Sequence, residues 1–356
     1  MRGRVTVPHR LRIDATALTD NWRALDRLSG TAACGAAIKA DGYGLGATEV
    51  ARHLAAAGCR DFFVATWAEA ERLAPLHLPL SVLHGVREED MPLALAGIAR
   101  PVLNTDAQIA RWRAAGGGAC DVMVDTGMNR LGLSPGAVRG GLLEGLAIET
   151  LMSHLACADE ESAMNAAQQT TFAALRGATG ARRMSLANSA GIALGTNYAF
   201  DLTRPGLALY GGIPRSEFAG IIRQVVTPEA QVLQRRTVRA GETVGYNATW
   251  TAERDTAVAI LNLGYADGYF RGFSDRGGAG GGTLPVIGRV SMDLVALDVS
   301  AAPGTAEGDW VALDFALPEA AMRSGMSQYE LLTALGRRYE RDWGENVSFG
   351  RRRSFR

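Results

Sequence analysis

Ala36-Ala37-Ile38-Lys39-Ala40-Asp41-Gly42-Tyr43-Gly44-Leu45-Gly46 is an apolar run that ends in a lysine and then breaks into alternating glycines. Ala47 to Ala57 follows with apolar residues at three- and four-residue spacing, so the segment reads as strand, turn and helix. A lysine that closes a buried strand has water on one side only. Desolvation disfavours its ammonium form, lowers its pKa and makes the amine a usable nucleophile or Schiff-base partner. The stretch alone also accommodates a plainer arrangement, a strand-end lysine with its head in solvent.

The same strand-and-helix unit recurs along the chain. Apolar runs fall near 32–38, 61–66, 80–83, 101–103, 120–125, 150–155, 183–187 and 201–203, and helix patterns occupy Ala47 to Ala57, Thr66 to Leu73, Thr105 to Ala115 and Glu161 to Leu175. Eight strands alternating with helices predict an α/β fold, a (β/α)8 TIM barrel whose working groups lie at the carboxyl ends of the strands. After about residue 225 the texture changes to alternation and turns, as in Ala230–Leu233, Ala257–Leu261, Leu294–Val299 and Trp310–Leu313. These predict antiparallel strands. The expected organisation is a barrel over 10–225 and a mostly β domain over 226–356, with the first ten or so residues packing on the latter. Gly277 to Gly282 reads as a flexible hairpin tip or loop rather than a phosphate cradle, since no strand and helix flank it. One helix is expected at Gln328 to Arg338.

The bounds on the chain agree. A length of 356 residues exceeds a barrel of about 250 and leaves room for a second domain. Lys+Arg and Asp+Glu are both 37, a net charge of +0 that argues against a nucleic-acid surface. Arg351-Arg352-Arg353 reads as a solvated tail. Cys34, Cys59, Cys120 and Cys157 contain no Cys-x-x-Cys pair, so they predict reduced thiols and no metal site, and the His154/Cys157 spacing reads as packing. The first residues carry no apolar core of signal-peptide length and no apolar run approaches a membrane span, which predicts a cytoplasmic chain without membrane partners.

Polar residues interrupt the barrel runs at their carboxyl ends. Lys39 ends the first, Asp125-Thr126-Gly127-Met128-Asn129-Arg130 follows the fifth, and His154 stands on the sixth. Asn188-Ser189 follows the seventh and Arg204-Pro205-Gly206 the eighth. Together they place a lysine, a histidine, two arginines and an Asn-Ser pair around one mouth, where an anionic cofactor bearing a phosphate would be held. Backbone N–H groups and the hydroxyl of the Asn188–Gly191 turn suit that phosphate.

These segments occur in the order seen in bacterial alanine racemases, together with Leu207-Ala208-Leu209-Tyr210-Gly211, Val244-Gly245-Tyr246, Gly264-Tyr265-Ala266-Asp267-Gly268 and Gly288-Arg289-Val290-Ser291-Met292-Asp293. The chain resembles that family from about residue 10 to 340. The resemblance implies a homodimer, a barrel with a C-terminal β domain, pyridoxal 5'-phosphate as cofactor, and interconversion of L- and D-alanine for peptidoglycan or for alanine catabolism.

Residue by residue, Lys39 resembles the lysine that binds the cofactor and removes the α-proton of the D-enantiomer. Tyr246 resembles the opposing base for the L-enantiomer, reaching the site from the partner subunit. A base on each face of a planar carbanion is what racemisation needs, each transfer being worth about 10²–10⁴ in rate. By its local string, Tyr246 reads equally as a packing tyrosine. Arg204 resembles the arginine facing the pyridine nitrogen, with His154 hydrogen-bonded beside it. Tyr43, Ser189 and Asn188 resemble the phosphate holders, joined by the backbone around Gly206 and Leu207. Arg130 matches the arginine that fixes the substrate carboxylate, assisted by the Met292 amide of the partner. Asp159, Tyr265, Arg271 and Arg289 correspond to the polar corridor through which substrate arrives.

Three positions depart from the family pattern. Met123 stands where many members carry a carbamylated lysine beside the carboxylate-binding arginine. Leu45 replaces a histidine, and Arg337 falls where some members have a phosphate-contacting tyrosine. A racemase of serine or another small amino acid is a second reading, because one methylene is worth only about 1–3 kcal/mol of discrimination. A non-catalytic cofactor-binding barrel is a third, opposed by the C-terminal domain and the second base.

Overall fold

The computed structural model describes residues 7–344, so the Arg351–Arg353 run lies outside the described residues. The chain divides into two compact units: the described residues up to Ala17 with those from Gln224 on, and Leu18–Arg223. The first strand, β1 (His9–Ile13), belongs to the former.

The Leu18–Arg223 unit is the barrel. Its strands are β2 (Ala33–Cys34), β3 (Ala36–Ala37), β4 (Phe62–Val64), β5 (Leu80–Val82), β6 (Arg100–Leu103), β7 (Cys120–Met123), β8 (Ile148–Met152), β9 (Arg183–Ser185) and β10 (Leu202–Thr203). β3 to β9 form a parallel sheet in chain order. The remaining gap is spanned by β10, which pairs in parallel with β2, Leu202 opposite Ala33. The Asp201 and Arg204 amides donate to the Met184 and Ala187 carbonyls on the other side. With β2 and β3 counted as one strand interrupted at Gly35, the described residues form the eight-stranded barrel. Strands such as Phe62–Val64 are buried throughout, as a parallel sheet covered on both faces requires.

Several helices between the strands start where side chains supply caps. Thr66 and Glu69 form a capping box at the head of Trp67–Leu73. Thr105 caps Asp106–Ala114 and Ser162 caps Ala163–Ala173. Each cap satisfies a helix N–H that has no partner within the helix and is typically worth about 1 kcal/mol.

In the second unit β1 pairs antiparallel with β11 (Val226–Val238). Around them lie β12 (Thr243–Val244), β13 (Trp250–Thr251), β14 (Thr256–Leu261), β15 (Gly278–Ala279), β16 (Leu284–Pro285), β17 (Val295–Asp298), β18 (Trp310–Ala312) and β19 (Glu340–Asp342). The main sheet runs β17-β14-β11-β1-β19, with β18 also on β11. β11 shifts register between Val232 and Gln234, leaving β1 and β18 for its first half and β14 for its second. Buried Glu229 accepts from Arg10 at 2.7 Å and lies 3.1 Å from Arg12, so one carboxylate fastens β1 in register. Loss of both arginines would leave the Glu229 carboxylate buried and uncompensated. Gly277–Gly282 includes the turn of the β15–β16 hairpin. The helix expected over 328–338 ends at Thr333.

Candidate active site

Lys39 lies two residues past β3, half-buried. The turn after it is left-handed: Ala40, Asp41, Gly42 and Tyr43 have φ of 53, 55, 63 and 55°. For residues with a Cβ this conformation costs roughly 1–2 kcal/mol each. The turn is held at one side by the Ala40 amide donating to Glu69 Oε1 at 2.7 Å, and at the other by the Ala47 amide donating to Asp41 Oδ1 at 3.0 Å. Burial lowers the pKa of the Lys39 amine, Arg130 and Arg204 lower it further, and Glu69 opposes them.

The left-handed turn carries Tyr43 inward. Its ring stacks on Tyr210 with centroids 4.5 Å apart, and Tyr210 donates to the Ala37 carbonyl at 2.9 Å. A Cβ on Gly206 would stand 2.2 Å from the Tyr43 hydroxyl, so only glycine fits there. Ser189 Oγ accepts from the Gly206 amide at 2.9 Å and the Ala208 amide at 3.2 Å. Asn188 Oδ1 accepts from the Gly191 amide at 2.8 Å, so this side chain shapes the turn in which Ser189 sits. Leu207 is buried and opens a short 3-10 turn. Tyr43, Ser189, Gly206 and Leu207 thus form one wall beside the lysine turn.

Arg204 follows β10 and is buried. It donates to the Ser153 carbonyl at 2.5 Å and to Ser185 Oγ, and its guanidinium lies 5.9 Å from the Phe63 ring centroid. Burial brings its pKa down to about 10, which leaves it a cation at neutral pH. Two of its five N–H donors go to Ser153 and Ser185, and no hydrogen bond joins it to the His154 ring. Burial and the charges of Arg204, Arg130 and Lys39 bring His154 down to about 3, so this imidazole is neutral.

Arg130 is exposed on the loop after β7. Asp125 fixes that loop by accepting the amides of Gly127, Asn129 and Arg130 at 2.9, 3.1 and 2.9 Å. The Arg130 guanidinium makes no ion pair among the described residues, and Met123 offers it no charge. Asp159 is exposed on the loop after β8.

Two further side chains hold this mouth and escaped the sequence reading. Gln168, buried on the helix Ala163–Ala173, donates to Thr126 Oγ1 and the His154 carbonyl and accepts from the Ala156 amide. It ties the loop of Arg130 to that of His154. A buried amide on an amphipathic helix was the available signal. Glu69 accepts the Ala40, Ala65 and Thr66 amides, and the capping-box spacing Thr66-x-x-Glu69 was its signal.

In the second unit Tyr246 is 63% and Met292 53% exposed. Gly245 packs on the backbone of exposed Arg289. The Tyr265 and Ala266 amides donate to the Ser291 and Met292 carbonyls, each at 3.0 Å, and Arg271 lies over the Tyr265 ring at 5.3 Å. Arg338 fastens these loops by pairing with both buried Asp267 and Asp293. Arg337 is exposed.

The barrel's strand ends thus gather a desolvated lysine, two arginines and the wall of Tyr43, Ser189, Gly206 and Leu207. Comparison with known proteins names the group. The family model for the alanine racemase N-terminal domain matches residues 13–214, and that for the C-terminal domain matches 225–343. An alanine racemase of Methylobacterium nodulans is 45% identical over 95% of this chain and 97% of its own length. One from Cereibacter sphaeroides is 44% identical over 94% and 97%. Among solved structures, the alanine racemase of Bartonella henselae, with covalently bound pyridoxal phosphate, superposes with a TM-score of 0.87 at 32% identity, covering 95% of this chain and all of that one. The biosynthetic alanine racemase of Pseudomonas aeruginosa gives 0.85 at 32% identity over the same shares. The chain belongs to the alanine racemase family. Among the described residues no helix is long and apolar enough to cross a membrane, and no cluster of three His, Cys, Asp or Glu side chains is placed to hold a metal.

Proposed function

We propose that this chain interconverts L- and D-alanine with pyridoxal 5'-phosphate, working as a cytoplasmic homodimer. The observation that carries the reading is the half-buried Lys39 amine, its proton affinity lowered by burial and by Arg130 and Arg204. The residues present fit the cofactor. A primary amine stands ready for its aldehyde, and the accumulated positive charge suits a phosphate and a substrate carboxylate. Gly206 keeps clear the space at the Tyr43 hydroxyl that a Cβ would fill.

Bound there, pyridoxal phosphate would withdraw electrons from the substrate's α-carbon and acidify its C–H bond. Lys39 holds the cofactor and, as the free amine, takes or returns the α-proton on one face. Tyr246 of the partner subunit serves the other face, and its exposure in a single chain agrees with that assignment. Arg130 grips the substrate carboxylate through two parallel N–H donors. Arg204 would meet the ring nitrogen with a donor, and as a cation it accepts no proton from it. Tyr43, Ser189 and the backbone at Gly206 and Leu207 hold the phosphate, while Asn188 keeps the Ser189 turn in place. Tyr265, Arg271, Arg289 and Asp159 line the way in, and the Met292 amide assists Arg130 across the subunit boundary.

Incubation of the purified protein with L-alanine in D₂O tests the reading. D-alanine should appear with deuterium at the α-carbon, and borohydride should leave the cofactor fixed on Lys39. Exchange without D-alanine, or a label on another lysine, would overturn it.

A further inference from the structure

The Glu69 carboxylate joins two loops at the barrel mouth. Oε2 accepts the Ala65 amide at 2.7 Å and the Thr66 amide at 3.3 Å, at the end of β4, whereas Oε1 accepts the Ala40 amide at 2.7 Å. The capping box of the helix Trp67–Leu73 accounts for the Thr66 bond alone. The Ala40 bond crosses to the residue after Lys39, where the left-handed turn begins. We propose that Glu69 is a positioning residue for Lys39, its carboxylate tying the lysine turn to the neighbouring strand's loop and so fixing where the amine points. The proposal rests on the reading of Lys39 as the working amine.

Strain gives the tie its purpose. Ala40, Asp41 and Tyr43 all occupy the left-handed region, and such a conformation persists only where its surroundings determine it. Asp41 fastens the far side of the turn on the Ala47 amide, and Glu69 fastens the near side. Charge gives the tie a second effect. The groups facing the amine are Arg130 and Arg204, which with burial favour its neutral form, the neutral His154, and Glu69, whose anion alone favours the ammonium. Glu69 therefore sets the direction of the amine and moderates its loss of a proton.

Glu69→Gln and Glu69→Asp separate the two effects. Glutamine keeps a capping acceptor but has one carbonyl oxygen, so it gives up the Ala40 amide or the Ala65 and Thr66 amides, and it loses the charge. Aspartate keeps the charge and is one methylene too short to span both loops. In the full-length chain freed of cofactor, backbone hydrogen exchange across 39–43 should rise about tenfold in both variants, with the helix 67–73 still protected. Acetylation of Lys39 by acetic anhydride, followed by mass spectrometry against pH, should have its midpoint lowered by about half a pH unit in the glutamine variant, roughly threefold more labelling near neutrality. The aspartate variant should keep the wild-type midpoint. Unchanged exchange across 39–43, or a labelling curve unmoved by glutamine, would overturn the proposal even if both variants melted earlier. Neither readout needs pyridoxal phosphate, so failure of wild type to capture it on Lys39 would count against the proposed activity and not against the tie.

Discussion

His154 shows what a cluster of cations does to one side chain. Burial, Arg204, Arg130 and Lys39 together bring its pKa down to about 3. In the unfolded chain an imidazole takes its proton near pH 6.5. Between those values the unfolded state binds a proton that the native state refuses, so stability is intact above about pH 6.5 and falls as the pH drops towards 3. The residue is half-buried rather than fully enclosed, so solvent screening moderates the effect. Melting temperatures should drop less between pH 7 and 4.5 in His154→Gln than in wild type, and parallel curves would mean that His154 titrates normally. At this scale Lys39 and Arg204 stand out in the sequence because each sits where an apolar run stops, and Arg130 because it lies in the polar segment that follows one. It concealed Glu69 and Gln168, whose partners Ala40 and Thr126 are 29 and 42 residues away, since hydrogen bonds of that span leave no local pattern.

At the level of turns and strands, the Gly206 turn offers the sharpest test. A methyl group there would meet the Tyr43 hydroxyl at 2.2 Å, and Tyr43 is itself pinned against Tyr210. Gly206→Ala should displace Tyr43, weaken pyridoxal phosphate binding at least tenfold by equilibrium dialysis, and cost about 1–3 kcal/mol of stability. Wild-type cofactor affinity would show that the wall is not part of the phosphate site. The barrel strands were legible because a sheet covered on both faces demands uninterrupted apolar runs. β11 was read over four residues and spans 13, because Gln234 to Thr237 after its register shift, and Thr227 to Glu229 before the part that was read, carry no apolar signal. The helix Leu317–Ser324 went unread, although Pro318 in its first turn and Gly325 in the left-handed conformation after it were available marks. The left-handed turn after Lys39 was illegible, since Ala40 and Asp41 carry no propensity for positive φ comparable with that of glycine.

For the whole molecule, the proposed activity demands residues from two chains. Lys39→Ala and Tyr246→Phe should each be nearly inactive as pure dimers. After verified subunit exchange, an equal mixture should recover activity, because each heterodimer assembles one site with both bases intact. No recovery would count against Tyr246 crossing between subunits. The overall plan was readable from texture alone: strand-helix alternation to about residue 225, then period-two alternation. The contribution of β1 to the second unit was less visible, because a single five-residue strand has no period long enough to announce its partner.

That contribution has a consequence for how the chain is made. β1 leaves the ribosome first, but β11, which it pairs with from His9 opposite Ala230 to Ile13 opposite Val226, is translated more than 200 residues later. At about 5–20 residues per second that is a wait of roughly ten to forty seconds. During it strands β3 to β9 can pair with one another in chain order, while β1 has no sheet to join. The chain's first described strand therefore stays without its partner until more than 200 later residues have been made.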